Sequence, residues 1–253
     1  KACNGLKRLE MTHEFQLPNE RALADQLATD IAKRLSDAIS ERGQALLCVS
    51  GGKSPMPLFD ALSKFPIAWD KVTVTLVDER CVPAAHPDSN AALVQRHLLA
   101  HCAAKARFLR WPPHDLTEAV PTRPWAEQAA ERQQWAEAVE AALRPLWPAD
   151  VVVLGMGLDG HTASLFSQAQ GVAPALDAQG SSLCAAVRPP HAPHDRLTLT
   201  LSALLSARHV ALQISGAAKS HIYQLAREKA SHGRPVSLLL SQAQRPVAIW
   251  IGA

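Results

Sequence analysis

The sequence predicts an α/β fold: one domain built on a largely parallel, doubly wound sheet with helices on both faces. Three observations carry this prediction. Short apolar, β-branched runs alternate with helix-patterned segments along the chain. Those runs are continuously apolar, as strands buried on both faces must be. No fixed-period repeat, low-complexity tract or linker divides the 253 residues, so residues 11–253 read as a single domain.

In chain order, residues 1–10 precede Met11, lack the apolar middle of a signal peptide and read as a tag or disordered tail. Over residues 19–43, Leu23, Leu27, Ile31, Leu35 and Ile39 recur every four positions between a capping Asn19 and a terminating Gly43, predicting an amphipathic helix. Residues 45–49 form a strand. The turn Ser50-Gly51-Gly52-Lys53 follows, and Ser54-Pro55 then reads as a cap and first-turn pair opening a helix to about Ser63. A second strand over 72–77 runs into Asp78-Glu79-Arg80, with a helix over 89–101 beyond it.

After a Pro- and Trp-rich stretch (111–124), a helical segment runs to about Leu143. A strand over 151–154 then ends in Gly155-Met156-Gly157-Leu158-Asp159-Gly160-His161, and the pattern predicts a further helix from Thr162. Residues 171–180 read as loop. Strands over 183–187, 197–201, 210–214 and 247–251 follow, with a helix over 217–229. In such a sheet the ligand site lies beyond the carboxyl ends of the strands, so the loops after Val49, Val77, Leu154 and Ile214 should converge there.

Composition narrows the function. Lys+Arg 26 against Asp+Glu 23 is near balance, which excludes a polybasic nucleic-acid arm or an acidic tail as the main theme. Hydrophobic residues at 47% exclude global disorder, and no apolar run approaches the roughly 18 residues of a membrane span. The five cysteines are odd in number and never spaced Cys-x-x-Cys, so they read as reduced thiols in a cytoplasmic protein, with Cys48, Cys81 and Cys184 in the core.

Several glycine and histidine motifs are weaker than they look. A nucleotide P-loop would need glycine at position 47, where the chain has Leu47. Residues 155–160 match G-x-G-x-x-G literally, but no second strand ending in an acidic residue follows at the dinucleotide spacing. His97 and His101 lack the glutamate of a zinc helix motif, so no metal site is predicted. Asp159-Gly160-His161 remains: an imidazole just past a buried strand, with a neighbouring carboxylate to orient it, suits general-base work. Asp78 and Arg80 share that sheet edge. The glycine loop with Arg196 and Lys219 describes an anion site.

The ordered set Ser50-Gly51-Gly52-Lys53-Ser54-Pro55, Asp78-Glu79-Arg80-Cys81-Val82-Pro83 with His86-Pro87-Asp88-Ser89-Asn90, 155–166, Arg196-Leu197-Thr198-Leu199-Thr200 and Ser215-Gly216-Ala217-Ala218-Lys219 resembles the 6-phosphogluconolactonases. They sit within the wider glucosamine-6-phosphate isomerase/deaminase-like superfamily, and the likeness covers nearly the whole chain from about Phe15. The resemblance implies a Rossmann-like sheet and cofactor-free hydrolysis of 6-phospho-D-glucono-1,5-lactone in the pentose phosphate pathway. By resemblance His161 is the base, Asp159 its partner and Arg80 an assisting cation, with Asp78 beside them. Ser50, Gly51, Gly52, Lys53, Arg196 and Lys219 are implied to hold the phosphate. Lys53 stands where the family more often has Ser, Thr or Arg. The only expected partner is the sugar-phosphate lactone, with no nucleic acid or membrane, and the chain is expected to be a monomer or small homo-oligomer. The deaminase branch carries a glutamate shortly after its histidine; here that stretch reads Phe166-Ser167-Gln168. A non-catalytic sugar-phosphate sensor would need an appended domain, for which residues 1–20 are too short.

Overall fold

A computed structural model describes residues 12–112, 123–242 and 246–253. The tail expected over 1–10 and part of the Pro- and Trp-rich stretch lie outside the described residues. The elements in order are β1 (Thr12–Leu17), α1 (Glu20–Arg42), β2 (Ala45–Val49), α2 (Met56–Leu62), β3 (Val72–Leu76), β4 (Asp78–Arg80), α3 (Asn90–His97) and β5 (Arg107–Phe108). They continue with α4 (Trp125–Leu143), β6 (Val151–Leu154), α5 (Val172–Ala175), β7 (Cys184–Val187), β8 (Arg196–Leu199), α6 (Leu201–Ser206), β9 (Val210–Ser215), α7 (Ala217–Glu228), α8 (Val236–Gln242) and β10 (Val247–Gly252).

The first long helix forms as its sequence dictates. Asn19 is extended and its side chain accepts from the Ala22 amide at 2.9 Å, while Gly43, at φ 77°, closes the far end by donating to the Ile39 carbonyl at 2.8 Å. The stripe Leu23, Leu27, Ile31, Leu35 is fully buried against the sheet. Strands β2, β3 and β6 are buried at every position, as their unbroken apolar pattern requires. Cys48, Cys81 and Cys184 are buried free thiols, and burial pushes the Cys81 thiol up to about 12.

Among the described residues the main sheet has seven strands in the order β1-β10-β9-β6-β2-β3-β5, every pair parallel. The order of strand addition reverses between the parallel neighbours β2 and β6: from β2 the sheet grows outward through β3, and from β6 in the opposite direction through β9 and β10. That is the switch point, where loops leaving two adjacent strands diverge and leave a crevice.

The structure departs from the sequence reading in several places. Residues 183–187 and the run beginning at Arg196 do not join the parallel sheet; with β4 they form a small antiparallel sheet, order β4-β8-β7. Val77 joins the two sheets, donating to Val49 of the large one at 3.0 Å and accepting from Leu199 of the small one at 2.8 Å. The strand predicted to Leu201 stops at Leu199, because the Thr200 hydroxyl accepts from the Ala203 amide and starts α6. No helix begins at Thr162. Helix α3 ends at His97 rather than His101, and a short helix, α5, interrupts the predicted 171–180 loop.

Candidate active site

Two loops leave the switch point side by side, after β2 and after β6. Their roots are tied together: the Ser50 amide donates to the Val153 carbonyl at 3.0 Å and the Gly155 amide to Ser50 Oγ at 3.3 Å. With β4 and the start of α7 they line a cavity of about 260 Å³, whose walls carry Ser50 to Pro55, Asp78, Arg80, Gly155 to Gly157, His161, Ala163 and Lys219. A hollow of about 280 Å³ near α6 has no ionisable lining residue, and one of about 150 Å³ carries Arg42, Asp150 and Arg208 but neither a histidine nor a glycine loop.

The loop after β6 folds onto itself. The Gly157 amide donates to the His161 carbonyl at 2.9 Å, and Gly160 turns at φ 78°. This brings Asp159 and His161 together: Asp159 Oδ1 lies 2.5 Å from His161 Nδ1 and also accepts from the His161 amide at 3.2 Å. The hydrogen bond from His161 holds the Asp159 carboxyl below its ordinary range, so it stays ionised as an acceptor. With Nδ1 committed to Asp159, Nε2 is the nitrogen free to take a proton. Phe166 packs on the other side of the imidazole, ring centroids 4.1 Å apart.

The helix expected from Thr162 is displaced by side-chain hydrogen bonds. Thr162 Oγ1 turns back to the Gly155 carbonyl at 2.8 Å, Ala163 adopts φ 48°, and the Ser164 amide donates to Thr198 Oγ1 at 3.1 Å. Ser164 Oγ then donates to Asp78 Oδ2 at 2.6 Å, fixing that buried carboxylate at the cavity wall. Ser164 was not among the residues singled out from sequence, although it lies within the 155–166 motif.

The three charges after β3 divide their roles. Glu79 is buried and turned inward: its carboxylate accepts from the Arg80, Asn90 and Ala91 amides at 2.7, 2.9 and 2.7 Å, anchoring the start of α3, while burial pushes its pKa up. Arg80 reaches over to the Asp88 carbonyl, and its buried Nε has no hydrogen-bond partner among the described residues. Arg196 does not line the cavity beside Lys219, as the sequence reading had it. Antiparallel pairing sets it across from Arg80, where burial and then the Arg80 charge lower its pKa.

On the opposite wall, Lys219 Nζ donates to Ser54 Oγ at 3.0 Å, and Gln213 Nε2 donates to the Ser54 carbonyl at 3.0 Å. Ser54 is therefore a wall residue rather than the cap predicted for α2, which starts without a side-chain cap. Gly51 approaches α3 so closely that an added Cβ would sit 1.9 Å from Asn90 Oδ1. Asn90 is buried and donates from Nδ2 to the Asp78 carbonyl at 2.8 Å, so it cannot step aside freely. Gly51→Ala is expected to cost about 1–3 kcal/mol of stability through overpacking. Calorimetry reads this as a Tm several degrees lower; an unchanged Tm would mean that Asn90 yields.

A doubly wound sheet whose switch-point loops bring a carboxylate-paired histidine, a glycine turn and the three cations Lys53, Arg80 and Lys219 around one crevice defines an enzyme acting on a small anionic ligand. The chain belongs to the family described as glucosamine-6-phosphate isomerases/6-phosphogluconolactonase, whose sequence model matches residues 18–250. It is 44% identical to the 6-phosphogluconolactonase of Mesorhizobium japonicum over 92% of each chain, and 46% identical to that of Pseudomonas aeruginosa over 76% of each. A 6-phosphogluconolactonase crystal structure from Shewanella baltica superposes with a TM-score of 0.85 at 36% identity, covering 96% of this chain and 98% of that one. Among the described residues no helix is long and apolar enough to cross a membrane.

Proposed function

We propose that this enzyme hydrolyses 6-phospho-D-glucono-1,5-lactone to 6-phospho-D-gluconate, with His161 as the base that activates water. The observation that carries the reading is the Asp159–His161 pair at 2.5 Å, set in a crevice whose far wall is a glycine turn and Lys219. The lactonase relatives supply the substrate class.

In this mechanism His161 Nε2 takes a proton from water as its oxygen attacks the lactone carbonyl, while Nδ1–H stays on Asp159. The carbonyl oxygen becomes an oxyanion beside Arg80, with the Arg196 guanidinium behind it adding to the positive field; one preorganised donor of this kind is worth about 3 kcal/mol. The tetrahedral intermediate collapses, the C1–ring oxygen bond breaks, and the ring oxygen takes the proton back from His161. Water is consumed, the product is the open-chain acid, and no covalent enzyme intermediate forms. Asp78, held by Ser164, offers its second carboxylate oxygen to a sugar hydroxyl.

The backbone amides of residues 50–54 with Lys219 take the phosphate, and Lys53 reaches the same rim of the cavity. Holding the phosphate fixes the lactone carbon over Nε2, so binding energy remote from the reacting bond lowers the barrier. Phe166 bears on the competing deaminase chemistry. An apolar ring lies on His161 in the stretch where ring opening would call for a carboxylate.

The test is the initial rate of acid release from freshly generated 6-phosphogluconolactone, corrected for spontaneous opening, beside ammonia release from glucosamine 6-phosphate. Lactone hydrolysis without ammonia release is expected; the reverse would overturn the reading. For Lys219→Ala, loss of a charge-assisted phosphate contact worth about 1.5–3 kcal/mol predicts kcat/KM down about 10- to 100-fold, chiefly through KM. Unphosphorylated gluconolactone should be turned over equally by both proteins. A parallel loss on that substrate would remove Lys219 from the phosphate site.

A further inference from the structure

We propose that His86, Asp88 and His194 form a second site, separate from the catalytic pair, that binds a divalent transition metal of the zinc class. The inference does not depend on the lactonase reading. Each of the three residues offers one ligand atom, and these atoms lie within 4.8 Å of one another. They come from two loops: His86 and Asp88 follow β4, and His194 precedes β8, 106 residues further along from Asp88.

The geometry is close to what coordination needs. His194 Nε2 is already 3.0 Å from Asp88 Oδ2, and His86 Nδ1 is 4.0 Å from the same oxygen. Ligands bound to zinc at about 2.0–2.2 Å in a tetrahedron stand roughly 3.4 Å apart, so His86 has to close in by about 0.6 Å on Asp88 and by at most about 1.4 Å on His194. The Asp88 amide donates to His86 Nδ1 at 3.0 Å, so that nitrogen carries no proton, and its one lone pair would exchange this hydrogen bond for the metal. The two imidazoles meet edge to face, centroids 5.2 Å apart, so they approach the carboxylate from different directions.

His194 is also one of three non-glycine residues with positive φ among the described residues, at 70°, and Ala163 beside the catalytic histidine is another. The two histidine side chains are about three-tenths exposed and Asp88 about half, so a metal can enter from solvent and water can complete its coordination. Two imidazoles and one carboxylate suit zinc, cobalt, nickel or copper rather than magnesium or calcium, which prefer all-oxygen sites. A metal here would clamp together the ends of β4 and β8, the strands that carry Arg80 and Arg196, and Arg80 itself rests on the Asp88 carbonyl.

The experiment is calorimetric titration of zinc chloride, in a non-chelating buffer, into the wild type, His161→Ala and the double variant His86→Ala/His194→Ala. About one equivalent should bind to the first two, with affinity weaker by at least about tenfold in the double variant. Zinc should raise Tm in the first two only. Loss of binding in His161→Ala with retention in the double variant would place the metal in the catalytic crevice and overturn the proposal, as would no binding at all. His194→Gln keeps a hydrogen-bonding group opposite Asp88 while removing the imidazole, and it guards against misfolding of the double variant. If it folds and retains full zinc affinity, the site is wrong.

Discussion

His161→Ala is expected to lower turnover of 6-phosphogluconolactone by about 10²- to 10⁴-fold, towards the spontaneous rate, while leaving the fold and KM nearly intact. The size follows from what the side chain does. Water at neutral pH is a poor nucleophile for an ester carbonyl, and proton removal in step with attack is the contribution a positioned imidazole makes. The phosphate contacts remain in the variant, so binding survives while chemistry does not. The imidazole touches Asp159 and Phe166 and is about three-tenths exposed, so its removal opens no core cavity. Asp159→Asn should also depress kcat, because an amide in place of the carboxylate no longer holds Nδ1–H and Nε2 loses its defined lone pair. Turnover within a few-fold of wild type for a folded His161→Ala protein would remove His161 from the mechanism.

How far the sequence reveals this site depends on which interactions build each part. Elements set by local rules are legible: Asn19 and Gly43 bound α1 as their chemistry dictates, and β2 and β6 follow from unbroken apolar runs. The Asp159-Gly160-His161 pairing is equally local, since two residues of separation and one glycine turn bring the groups together. The segment after His161 is not legible. Thr162, Leu165, Phe166 and Ala169 have the spacing of a capped helix, yet Thr162 bonds back to Gly155 and Ser164 is claimed by Asp78 and Thr198. Those partners are up to 86 residues away in sequence, and they override local propensity. Arg196 illustrates the same limit. Its sequence position places it at the correct edge, but only the antiparallel register of β4 with β8 sets it opposite Arg80 instead of beside Lys219. The exposed edge strand β1 lacks the apolar run that marks the inner strands, so nothing local announces it.

Gly157→Ala is the sharper test, because it separates the geometry of the site from its stability. The backbone at Gly157 does not require positive φ, so alanine is conformationally acceptable there. The obstacle is the catalytic pair itself. A Cβ would stand 2.2 Å from both His161 Cε1 and Nδ1 and 2.5 Å from Asp159 Oδ1, distances at which one side must move. Asp159 is more than half exposed and His161 has room towards solvent, so these side chains swing away at little cost. Contrast Gly51, where the obstructing atom belongs to buried Asn90 and the penalty falls on folding. Gly157→Ala is therefore expected to keep Tm within about 2–4 °C of wild type, the shift of roughly 1 kcal/mol in a chain of this size. A displacement near 1 Å should cut kcat about 10²-fold. Because the phosphate wall is untouched, KM for the phosphorylated lactone should hold. The double variant Gly157→Ala/His161→Ala should be no slower than His161→Ala alone, since the methyl group acts only by moving the imidazole. Full activity in Gly157→Ala would show that the 2.5 Å Asp159–His161 contact is not the arrangement that reacts. Additive losses in the double variant would mean that Gly157 serves the reaction by some route other than making room for His161.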